Sequence, residues 1–215
     1  MRFAILFLIC VAASAHDIIT TPITWSREIS RIVYARCGSC HREGGSAFSL
    51  MTYKEARPWV VAIREEILLR TMPPWGAVKG FGDFRNDQAL TPEEIELIVN
   101  WSEGGVPEGE EKDLPAAPKY EGAPAIGKVK GEILVTGPYQ LKRKFTLDGI
   151  VPVTSTSMQV VAELPDGSVE PLLWLDNYQE KFAHPFLLRK PLTLPAKTII
   201  RGVPPGASLR LLPPR

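Results

Sequence analysis

Residues 37–41 read Cys37-Gly38-Ser39-Cys40-His41, and everything around them depends on how this pentapeptide is read. Upstream, Ser26–Arg36 has helical periodicity, with Ile29, Ile32 and Val33 at i, i+3 and i+4. Thr24 or Ser26 stands where a cap is needed. Downstream, residues 37–51 carry Gly38, Gly44, Gly45 and three serines, a loop composition. Thr52-Tyr53-Lys54-Glu55 is a capping box that opens a short helix, and Pro58 ends that turn and can open the next. Trp59, Ile63, Ile67 and Leu68 give the second helix an apolar face, which stops at Met72-Pro73-Pro74-Trp75. After a Gly/Asp/Asn loop, Thr91-Pro92-Glu93-Glu94 starts a third helix. Its stripe is Ile95, Ile98 and Val99, with Leu97 and Trp101 beside it, and Gly104-Gly105 ends it.

The whole chain has 215 residues, enough for one large domain or two small ones. Its formal charge of +1 excludes a general nucleic-acid binder. With 20 prolines and 17 glycines it is not one long helical bundle. Residues 1–15 read as an export signal: Arg2, an apolar run from Ala4 to Ala13, then Ala13-Ser14-Ala15 before His16. The run is too short to cross ~30 Å of hydrocarbon at ~1.5 Å per residue, so no transmembrane segment is expected after cleavage. Cleavage removes Cys10 and leaves Cys37 and Cys40, too few for a disulfide framework. His16, His41 and His184 are the remaining imidazoles.

Residues 16–108 thus form a first domain, and 109–130 a Pro/Gly-rich linker. In 131–215 the period changes. Leu141–Leu147 tends toward alternation. Met158–Leu164 and Ser168–Leu175 flank Pro165-Asp166-Gly167, a hairpin turn, and Lys197–Arg201 is another strand candidate. A small all-β, sandwich-like domain is expected there. The run Lys142-Arg143-Lys144 reads as a solvated strand face or a docking patch.

Cys37-Gly38-Ser39-Cys40-His41 has the C-x-x-C-H spacing for covalent attachment of haem c. Two thiols separated by two residues reach the two vinyl groups of one haem, and the next residue, His41, becomes the proximal iron ligand. The competing reading is a redox dithiol, which normally follows a strand and opens a helix; here a helical pattern precedes and a glycine loop follows. The sixth ligand is read as Met72, followed by Pro73-Pro74, which stiffen the turn that presents its sulfur. Two such ligands leave no open iron position, which disfavours peroxidase or oxygenase chemistry, and the methionine raises the reduction potential.

With these motifs in place, residues 24–108 resemble the mono-haem cytochrome c domain of the His/Met type. The resemblance implies an N-terminal all-α cytochrome c fold ahead of the β domain. In it the first and last helices cross, with Trp59, Trp75 and Arg57 at the haem pocket. Residues 160–173 with 194–198 are similar to part of the copper type II monooxygenase-like domain. Where that family carries His-x-His, this chain has Thr154-Ser155-Thr156-Ser157-Met158, so no copper is expected. The expected protein is an exported electron carrier of the bacterial periplasm with one covalent haem c. It exchanges single electrons with redox-protein donors and acceptors. The alternative is a haem-carrying subunit of a larger oxidoreductase assembly, with the β domain for docking.

Overall fold

The computed structural model describes residues 22–120 and 127–214. The signal reading, Cys10 and His16 lie outside the described residues. The chain is mostly β. Among the described residues, α-helix is confined to α1 (Ser30–Ile32), α2 (Tyr53–Ala56), α3 (Val60–Leu68) and α4 (Pro92–Glu103), the longest only 12 residues. Eight strands follow: β1 (Ile133–Val135), β2 (Tyr139–Gln140), β3 (Phe145–Pro152), β4 (Met158–Glu163), β5 (Val169–Leu175), β6 (Phe186–Leu194), β7 (Ile199–Arg201) and β8 (Leu209–Leu212). They form two four-stranded antiparallel sheets, ordered β1-β8-β3-β6 and β2-β7-β4-β5.

The expected all-α cytochrome c fold of the N-terminal part is therefore corrected. Three local causes account for the shortage of regular helix. The first helical stretch runs from Trp25 to Cys37, but only Ser30–Ile32 is α-helical; both flanks are π-wound. There the Ser30 hydroxyl and the Arg31 guanidinium donate to the Ser26 carbonyl, at 3.4 and 3.0 Å, and compete with the backbone ladder. The glycine loop after Cys40 closes by scattered turn bonds instead of helix. Finally, in the stretch after α3, Trp75 and Phe84 give their side chains to the core between the sheets.

The local start signals are used. Thr52 and Glu55 form a reciprocal capping box, as do Thr91 and Glu94, with Pro92 in the first turn of α4. Glu94 also accepts from Arg36 Nε at 3.0 and 3.1 Å, tying the start of α4 to the helical stretch that ends at Cys37. Trp25, Ile29, Ile32, Val33, Ile98 and Trp101 share one core, with the Trp25 and Trp101 rings 6.0 Å apart. The residues after α4 stay on this unit: Trp25 N–H donates to the Pro107 carbonyl at 3.0 Å, and the Trp101 indole N–H donates to the same oxygen.

The two sheets enclose a second core that includes Leu147, Ile150, Leu172, Leu173, Leu209 and Leu211. β4 and β5 form a hairpin with a register shift between Val160 and Val161. At its turn Gly167 has φ +87°, and Asp166 accepts from the Ser168 amide and hydroxyl at 2.9 and 2.7 Å. β5 and β6 are edge strands, and the segment after Trp75 covers both. It first pairs along β5, with Val78 N–H donating to the Trp174 carbonyl (2.9 Å) and Asp176 N–H to the Gly76 carbonyl (2.9 Å). It then crosses to β6, where Arg85 N–H donates to the Leu187 carbonyl (2.8 Å) and Arg189 N–H to the Asp83 carbonyl (2.9 Å). Trp75 and Phe84 thereby enter the core between the sheets.

Candidate functional site

The Cys37–His41 turn sits where the first helical stretch ends. Gly38 N–H donates to the Val33 carbonyl at 2.9 Å, and the Cys40 and His41 amides both donate to the Cys37 carbonyl. One tight turn thus carries both sulfurs and the imidazole. The thiols are free, not bridged. The loop returns beneath them, with Ala47 N–H donating to the Cys40 carbonyl and Leu50 N–H to the His41 carbonyl.

His41 Nδ1 lies 3.0 Å from the Phe48 carbonyl oxygen. A carbonyl only accepts, so Nδ1 carries a proton and Nε2 is the ring nitrogen left to face a metal. The Phe48 ring meets His41 edge-on at 5.0 Å, and Trp59 packs on Phe48 at 4.5 Å. Phe48 is 51% and Trp59 46% exposed, and Val61, Leu68 and Leu69 of the same stretch are also exposed. The half-exposed Phe48–Trp59 pair beside the imidazole is a surface that an apolar planar group would cover.

Burial, followed by the Glu94 carboxylate, pushes the Cys37 thiol up to about 12. A thiol held protonated is a poor exchange nucleophile, which weighs against the redox-dithiol reading. Tyr120 closes this side of the turn. Its hydroxyl donates to the Tyr34 carbonyl at 2.8 Å and contacts Met51 Sδ at 3.7 Å, and the Arg42 guanidinium lies 5.3 Å over its ring. A Cβ on Gly38 would overlap the Tyr120 hydroxyl, so any side chain there would displace the Tyr120 ring from the turn.

The structure therefore brings Cys37, Cys40 and His41 together and links Trp59 to them through Phe48. It does not bring Trp75 to them. That indole, read from the sequence as a pocket residue, is buried in the sandwich core, stacked on His184 at 4.7 Å and 16°. Arg57 is exposed in the turn Arg57–Trp59. Met72 is half-buried in the turn after α3, its amide donating to the Glu66 carbonyl at 3.3 Å. Phe48 and Tyr120 escaped the sequence reading, since a loop aromatic next to a site only declares itself once the loop is folded.

In the sandwich, Thr154 to Ser157 spend their hydroxyls on hydrogen bonds to other parts of the same domain and to the neighbouring backbone. Ser155 Oγ accepts from the Glu180 amide and Ser157 Oγ from the Asn177 amide, each at 2.9 Å. Among the described residues, no group of three or more His, Cys, Asp or Glu is placed to hold a metal ion, and no helix is long and apolar enough to cross a membrane.

Compared with known proteins, the chain matches no family model, no curated protein and no solved structure.

Proposed function

We propose that this chain is an exported single-electron carrier that holds one haem c on the Cys37–His41 turn. The observation that carries the reading is the coincidence of two unbridged thiols, an imidazole with a free Nε2, and the uncovered Phe48–Trp59 surface. When bound, the haem supplies reversible Fe(III)/Fe(II) chemistry. Cys37 and Cys40 would hold it as thioethers, each S–H adding to one vinyl group with no atom lost. His41 would hold the iron through its Nε2, while the Phe48 carbonyl at Nδ1 fixes the ring and raises its basicity. Phe48 and Trp59 would shield the group from water on their side. Met72 is proposed as the sixth ligand, on the strength of its Pro73-Pro74 setting. The partners are redox proteins, and the location is the periplasm, on the strength of residues 1–15.

Haem staining of denaturing gels tests the attachment. Exported wild-type protein should stain, and the Cys37→Ala/Cys40→Ala double variant should not. An unstained, correctly exported wild-type band would overturn the proposal.

A further inference from the structure

We propose that Trp75, clamped by His184 and Phe186 of the sandwich, is a positioning residue that fixes the place of the Met72 sulfur. This rests on the reading of Met72 as the sixth iron ligand. The sandwich then has a role in the redox site without binding a metal itself.

Only Pro73 and Pro74 separate Met72 from Trp75, and both have φ locked by their rings. Trp75 N–H donates back to the Pro73 carbonyl at 2.7 Å, which closes the turn. The four residues therefore behave as a short stiff lever. Its far end is buried: Trp75 is 3% exposed. His184 stacks on the indole at 4.7 Å and 16°, Phe186 packs at 4.7 Å and 60°, and Phe84 meets it edge-on at 6.1 Å. Immediately beyond, Gly76 and Val78 are bonded to the β5 edge. Further along, Asp83 pairs with Arg189, and Arg85 grips Asp148 with both terminal nitrogens, at 3.0 and 2.8 Å. The near end is less constrained, since Met72 is half-buried and follows Arg70, which has φ +56°. A weak, flexible thioether ligand needs its position imposed from outside. Of the two ends of this turn, the sandwich end is the one built to impose it.

The test uses the purified exported protein with its haem attached. The readouts are the far-red thioether-to-ferric-iron charge-transfer absorption and the reduction potential. His184→Ala, which removes the stacked ring, should raise the population with sulfur off the iron about threefold to tenfold, the range set by losing one aromatic contact. His184→Phe, which keeps a ring there, should hold the wild-type band. Ile200→Ala loosens the sandwich core in β7, two strands in from β5, and should lower thermal stability while leaving the band unchanged. A band and potential in His184→Ala identical to wild type would refute the positioning role. So would an equal loss of band in Ile200→Ala, which would make the effect one of general stability. Met72→Ala separates the two levels: if the band survives that change, the ligand reading itself has failed.

Discussion

Phe84→Ala asks whether the 75–90 segment is part of the sandwich core. The ring is 6% exposed, so almost all of its surface leaves water on folding. It meets Phe186 at 5.5 Å and 62° and Trp75 at 6.1 Å and 70°. Truncating a buried phenylalanine costs about 3–5 kcal/mol, less where neighbours can collapse into the space. Collapse is restricted here, because the segment is bonded to β5 at Val78 and to β6 at Arg85. Gly82 also lies against the ring, so the backbone already approaches as closely as it can. The upper part of the range is therefore expected, about 4 kcal/mol. With a urea m-value of about 2 kcal/mol/M, the midpoint should fall by about 2 M. Phe81→Ala is the comparison: Phe81 is only partly buried, edge-on to the exposed Trp174, and should cost under ~1 kcal/mol. Equal, small losses for both variants would refute the claim that this segment completes the sandwich.

Two further outcomes follow from the same geometry. Burial pushes the His184 imidazole below its ordinary 6.5, so below that pH the unfolded chain takes up more protons than the folded one. Stability should be full above about 6.5 and fall as the pH drops toward the lowered folded value. Thermal melts from pH 8 to 5 should show this fall, flattened in His184→Phe. The groups near the ring are Tyr178, at 6.2 Å, with Glu180 and Lys181 on the adjoining turn, and burial raises the Tyr178 phenol far out of this window. Thr91→Ala removes one half of the α4 capping box and should cost about 1 kcal/mol, a fall of roughly 2–4 °C in Tm; no change would show that Glu94 and Arg36 hold the helix start alone.

What could be read ahead of the structure was local. The two Thr-x-x-Glu boxes and the Pro165-Asp166-Gly167 turn complete their bonding within a few residues, so their residue types announce them. The Cys37–His41 turn is legible for the same reason. Residues 75–90 were not, because their glycines and aspartates look like any loop. Their role comes from partners about 100 positions away, such as Asn86, which bonds the Pro185 carbonyl and the Leu187 amide. The shortage of helix was hidden in a similar way: Ile29, Ile32 and Val33 do face a core, but the winding around Ser26 departs from the α pattern their spacing suggests. Trp75 was assigned to the wrong neighbours because adjacency to Met72 in sequence says nothing about which core the indole enters.

Covalent attachment is tested most directly by the intact mass of the exported, matured chain under denaturing conditions. The account predicts the polypeptide from His16 onward plus the full mass of one haem. A bare polypeptide, with Cys37 and Cys40 as free thiols or joined to each other, would contradict it.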